Sequence, residues 1–109
     1  MSTKVPQVVT TYIQATNSRD TDLLLTTLTP DAIVTDEGHD YRGVEEIRAW
    51  KSKSNAQGQF IVEISDVTEA SHETIATTQV SGDFPGSPAT LHFHFALRDN
   101  KISAVRILP

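Results

Sequence analysis

Apolar and near-apolar residues at Val5, Val8, Val9, Tyr12, Ile13 and Thr16 recur at i, i+3, i+4, i+7, i+8 and onward, the spacing of one face of an α-helix. Pro6 suits the first turn of such a helix, where a missing backbone donor costs nothing, and Asn17-Ser18 marks its end. Tyr12 then lies on the buried face. A shorter helix is predicted from about Asp20 to Leu28, capped by Asp20 or Thr21, buried through Leu24, Leu25 and Leu28, and stopped by Pro30. "PDAIVTDEG" follows as a strand, with Ala32, Val34 and Asp36 on one face and Ile33, Thr35 and Glu37 on the other. Its pattern leaves open which face is core.

The stretch "DYRGVEEIRAWKSKSN" predicts a turn through Gly43 and a third helix with Val44, Ile47 and Trp50 inward and Glu45, Arg48 and Lys51 in water. Asn55 to Gly58 reads as a loop. Phe60 to Val67, Thr74 to Ser81, Leu91 to Arg98 and Lys101 to Leu108 are apolar or β-branched runs bounded by turn residues, and so predict strands, with a tight hairpin at Asp99-Asn100. Helices first and strands afterwards predict an α+β fold with a curved, mainly antiparallel sheet around the helices, rather than a doubly wound parallel sheet.

At 109 residues, with 38% hydrophobic and 21% charged residues, the chain has the length and composition of one globular domain with a single core. A net charge of −5 with scattered Lys and Arg argues against nucleic-acid or anionic-membrane partners, which need a concentrated basic surface. The absence of cysteine excludes disulfides and thiolate chemistry. "MSTKVPQVVTTYIQ" holds no apolar run long enough for a leader or a span, so a cytoplasmic protein is expected.

In "LHFHFALR", Leu91, Phe93, Phe95 and Leu97 alternate with His92, His94, Ala96 and Arg98, which sends the apolar set to the core. Two histidines at i and i+2 point the same way, an arrangement zinc accepts. No carboxylate partner is evident, so His92 and His94 are expected on the outer sheet face, exposed or between two copies, with no metal and no other cofactor. "SGDFPGSPA" lacks the lysine and the strand-to-helix context of a phosphate loop and predicts a long hairpin connection. Asp36 and Tyr12 are the pair with catalytic potential. A carboxylate in an apolar cavity gains a raised pKa and can serve as general base or acid, and a buried phenol beside it can stabilise an oxyanion. The plainer alternative makes Tyr12 a core tyrosine and Asp36 the first residue of a turn.

"YIQATNSRDTDLLLTTLTPDAIVTDEG", "YRGVEEIRAW" and the strand-rich half together resemble the nuclear transport factor 2-like superfamily and, within it, the small SnoaL-like proteins, from Val5 to Leu108. The resemblance implies a cone-shaped sheet bent around a long N-terminal helix, three helices, a pocket at the wide end, and homodimers through the sheet. Its members include ketosteroid isomerases, polyketide cyclases, epoxide hydrolases and dehydratases. Asp36 falls where the isomerases carry their catalytic aspartate and Tyr12 where they carry an oxyanion-hole tyrosine, which favours an inward Asp36. Their second oxyanion donor aligns near Phe93, which cannot donate, so the isomerase reaction is not implied. A cyclase relying on one acid-base aspartate is compatible.

Three functions are therefore expected to compete. One is a module binding a small hydrophobic molecule in a pocket lined by Val9, Tyr12, Val34, Trp50, Phe60, Phe93 and Phe95. Another is an acid-base isomerase, cyclase or hydrolase using Asp36 with Tyr12 on a carbonyl compound. The third is a dimerisation domain with a vestigial pocket.

Overall fold

The computed structural model describes residues 5–109. Residues 1–4, part of the stretch weighed above for a leader, lie outside it. The described chain runs α1 (Gln7–Ser18), α2 (Thr21–Thr26), β1 (Leu28–Asp36), β2 (His39–Arg42), α3 (Gly43–Ala56), β3 (Phe60–Ala70), β4 (Glu73–Gly82), β5 (Ala89–Arg98) and β6 (Lys101–Leu108). No helix among these residues is long and apolar enough to cross a membrane.

Helix α1 forms against its own local preference. Six of its residues, Val8, Val9, Thr10, Thr11, Ile13 and Thr16, are β-branched, and each disfavours a helix by up to about 0.7 kcal/mol relative to alanine. Burial outweighs this. Val9, Tyr12 and Ile13 are enclosed, and each such side chain contributes about 1.5–3 kcal/mol.

The six strands form one curved, open sheet in the order β2-β1-β6-β5-β4-β3. Strands β1 and β6 are parallel, and every other neighbouring pair is antiparallel. Helix α1 packs on β3 and β6 while α3 packs on β1 and β2, so both helices cover one face and the core lies between them and the sheet. Ala32, Val34, Ala76, Phe93, Phe95, Ile102 and Val105 point into that core.

Several boundaries differ from expectation for identifiable reasons. Leu28 is buried as the first residue of β1 and not as the last of α2, because the Ile102 amide bonds the Thr27 carbonyl at 2.8 Å and draws the chain into the sheet. Strand β2 was expected as part of a turn. Its four residues have little apolar pattern and become a strand by pairing Tyr41 with Val34 and His39 with Asp36. Leu97 is exposed rather than in the core, since the β5–β6 register slips between Ala96 and Leu97. The Asp99-Asn100 hairpin forms as expected, with both residues at positive φ.

Two contacts fix α1. The Asn17 amide donates to the Val62 carbonyl at 2.9 Å and accepts from the Val62 amide at 2.7 Å, so that one side chain pairs with β3 as a strand would. Arg19, left-handed at the end of α1 (φ 58), donates to the carbonyls of Asn55 at 3.0 Å and Gly58 at 2.6 Å, where α3 ends. Nearby, a Cβ at Gly82 would collide with the Gln59 carbonyl and crowd Phe60, so only glycine lets β4 close against the start of β3.

Removing the Asn17 amide leaves a backbone donor and acceptor on β3 unmatched. Asn17→Ala should destabilise the fold by about 1–2 kcal/mol, which a urea melt of both proteins would register; an unchanged midpoint would mean that water replaces the amide without loss.

Candidate functional site

The buried stripe of α1 delivers Tyr12 to the centre of the fold, edge-on to Phe95 (centroids 5.3 Å apart) and to Phe93 (6.4 Å). Its hydroxyl forms no hydrogen bond with another described residue, and Tyr12 lines a cavity. Burial, reinforced by the charge of Asp36, pushes the Tyr12 pKa well above the ordinary tyrosine range. The phenol is therefore held in its protonated form.

Strand β1 places Asp36. Alternation sends Ala32 and Val34 into the core, both fully enclosed, and Asp36 follows on the same face at the strand's end. Glu37 and Gly38 both take positive φ (52° and 79°), which turns the chain tightly into β2. Asp36 thus begins a turn and also faces the cavity. The Trp50 indole donates to Asp36 Oδ2 at 3.2 Å. Tyr41 of β2 stacks on Trp50, with centroids 5.7 Å apart, and holds the indole in place. Desolvation raises the Asp36 pKa and the Glu37 charge adds to it, while the Trp50 bond and the Lys51 charge partly oppose the rise.

Lys51 corrects the reading of α3. It was expected in water, yet it is 2% exposed, whereas Val44, expected inside, is 43% exposed. The helix buries Ile47 and Lys51, one turn apart, and turns Ser54 of the next turn toward the same cavity. The Lys51 ammonium lies 5.5 Å from the Trp50 ring centroid and 5.3 Å from that of Phe60. No carboxylate among the described residues lies within ion-pair distance of it. Desolvation, then repulsion from Arg19, pushes its pKa down to about 8, against the pull of Asp36.

The cavity between α1, α3 and the sheet measures about 220 Å³. Of the residues expected there, Tyr12, Asp36, Trp50, Phe60 and Phe93 line it, whereas Val9, Val34 and Phe95 pack in the core and do not reach it. Lys51, Thr16 and Phe84 line it unforeseen. Lys51 had a signal in its spacing of four from Ile47, but its charge had assigned it to solvent. Phe84, the lone aromatic of the β4–β5 loop, had none. A second, more polar recess of about 310 Å³ shares Glu37, Ser54, Phe60 and Phe84 with it.

The histidines lie elsewhere, on the outer sheet face. His92 Nδ1 is 3.1 Å from the Thr77 hydroxyl, and His94 Nδ1 is 3.3 Å from Glu73, a carboxylate that the spacing on β5 did not reveal. Among the described residues, no cluster of three or more His, Cys, Asp or Glu has the arrangement to hold a metal.

A family model for the SnoaL-like domain matches residues 9–105. Among solved structures, a candidate polyketide cyclase from Sinorhizobium meliloti is 35% identical, covers 94% of each chain and superposes with a TM-score of 0.89. An uncharacterised cystatin-fold protein from Novosphingobium aromaticivorans is 22% identical with a TM-score of 0.79, over 100% of this chain and 99% of that one. A protein of ketosteroid isomerase-like fold from Catenulispora acidiphila, solved with trimethylamine, is 20% identical with a TM-score of 0.84, over 97% of this chain and 87% of that one. The last two share the fold alone. No curated protein matches the chain in sequence.

The buried amine links stability to pH. Folded Lys51 loses its proton near pH 8, while the unfolded chain keeps it to about 10.4. Between these values the unfolded state binds more protons, so stability should rise as pH climbs from 8 toward 10. Lys51→Met should flatten that rise and be the more stable protein at pH 7. Urea melts at four pH values check this, and parallel curves for the two proteins would show that the ammonium is solvated.

Proposed function

The chain belongs to the SnoaL-like domain family, and from that premise we propose that it binds a small, mostly apolar molecule carrying one acceptor oxygen in the cavity between α1, α3 and the sheet. The observation that carries this reading is Tyr12, whose buried side chain lines the cavity and whose hydroxyl makes no hydrogen bond with another described residue. Such a group leaves a polar need for a ligand to meet, and pockets of this kind take orientation from one or a few polar groups.

Size narrows the ligand. A cavity of about 150 Å³ suffices for benzene, and drug-sized ligands occupy about 300–1,000 Å³. At about 220 Å³ the cavity suits a molecule of one ring or its equivalent. A carbonyl is the natural acceptor, and the candidate cyclase among the relatives supports a carbonyl-bearing ligand.

A second reading is favoured by Asp36, whose carboxylate lines the same cavity with its pKa raised by burial. It would remove a proton from the carbon beside the carbonyl while Tyr12 donates to the oxygen that gains charge. Phe93 supplies no second donor, and the Lys51 ammonium in the same cavity lining is a donor available in its place.

Two measurements separate these readings. Small aromatic ketones should raise the melting temperature by binding only the folded state. Tyr12→Phe should weaken that binding by about tenfold, the value of one hydrogen bond of roughly 1.4 kcal/mol; a variant that binds as tightly would remove Tyr12 from recognition. If Asp36 moves protons, the protein should exchange deuterium into the α-carbon of a bound ketone, followed by NMR. Asp36→Asn should stop the exchange and keep the affinity within a few fold. Binding without exchange in the unaltered protein would leave a binding module alone.

A further inference from the structure

We propose that Lys51 is a nucleophilic lysine that condenses with an aldehyde or ketone held in this cavity to form an imine, an inference that rests on the carbonyl-bearing ligand proposed above.

Its surroundings carry the argument. A lysine is seldom fully enclosed unless an anion pairs with it. Lys51 is enclosed, lines the cavity and faces the Trp50 and Phe60 rings, with no ion pair among the described residues. Packing of Ile47 one turn before it directs the amine to the cavity wall. A lysine gains nucleophilic character when desolvated in an apolar pocket or placed near another cation. Both conditions hold. Arg19 is clamped by the carbonyls of Asn55 and Gly58, 6.0 Å from the centroid of the Phe60 ring that Lys51 also faces. That guanidinium cannot swing away, and its repulsion is part of what holds the Lys51 pKa near 8. The other charged or titratable groups around the amine are Asp36 and Glu37 at the end of β1 and Tyr12 of α1.

The reaction balances within the cavity and solvent. The ammonium first gives up one proton. The free amine then attacks the carbonyl carbon, a C–N bond forms, and the carbonyl electron pair moves to oxygen, which takes up a proton. The nitrogen sheds a proton, the carbinolamine hydroxyl is protonated and leaves as water, and the nitrogen lone pair completes the C=N bond of a protonated imine, the form that cyanoborohydride reduces. Asp36 is the acid-base group on the same cavity wall for these transfers, and Tyr12 can donate to the oxygen during attack.

The same ammonium could instead hold a carboxylate as a simple counter-charge, and the experiment separates the two. The intact protein is incubated with benzaldehyde or acetophenone and sodium cyanoborohydride from pH 6.5 to 8.5, and adducts are located by peptide mass spectrometry. One adduct per chain is expected, on Lys51, formed at least tenfold faster than on the exposed Lys53 and Lys101, and faster at pH 8 than at pH 6.5. Lys51→Met and Lys51→Arg should both lack it. Equal labelling of Lys51, Lys53 and Lys101 overturns the inference, as does an unlabelled Lys51 in a protein whose melting temperature rises with the ketone. A rise with benzoate and none with the ketone identifies an anion site and overturns it too. If no compound changes the melting temperature, the ligand reading fails together with it. Mapping on the unaltered protein decides the matter even if a variant does not fold.

Discussion

The last turn of α1 ties the fold together. Within three residues the chain makes two attachments: Asn17 pairs with the backbone of Val62 on an edge strand, and Arg19 seizes the carbonyls where α3 ends. The first sets how deeply the helix lies against the sheet, and the second sets its distance from α3. The cavity is the space these distances leave. Side chains on α1 and α3 can face the same volume only because both helices are held at this corner. The attachments use polar side chains on backbone groups, whose directionality specifies position better than apolar contact alone.

Inside that volume, burial acts on three groups in one sense. Tyr12 is pushed up, Asp36 is pushed up and Lys51 is pushed down, each toward its uncharged form. In water an aspartate and a lysine differ by about six to seven pKa units, and passing a proton between them is costly. Here the carboxylate rises as the amine falls, and the gap narrows from both sides. The Trp50 indole and the Glu37 charge act in opposite directions on the same carboxylate, so its position is set by competition rather than by burial alone.

Much of this was legible in the chain, and what was not has physical causes. The spacing from Val5 to Thr16 revealed α1 despite its β-branched residues, because burial and not propensity decides that helix. Asp36 faced inward as the family likeness suggested, although alternation on β1 could not choose between its faces. Strand β2 was missed because four mostly polar residues become a strand only when β1 is there to pair with them. Lys51 was missed because charge was read as exposure, whereas Ile47 fixes which face of α3 turns inward and Val44 is left in water. Val9, Val34 and Phe95 were expected to line the pocket, but hydrophobicity does not distinguish a residue packed on its neighbours from one beside a void.

The irregularity in β3 bears on how copies of the chain meet. This strand ends the sheet, and its pairing with β4 slips between Ile64 and Asp66, which places Ser65 in a bulge. Exposed carboxylates at Glu63, Asp66 and Glu69 stand along the same strand. A bulge breaks the even row of free amides and carbonyls that another strand would need, and like charges repel an identical copy. This edge is therefore a poor template for another strand, and the Asn17 amide occupies one more rung of it from within.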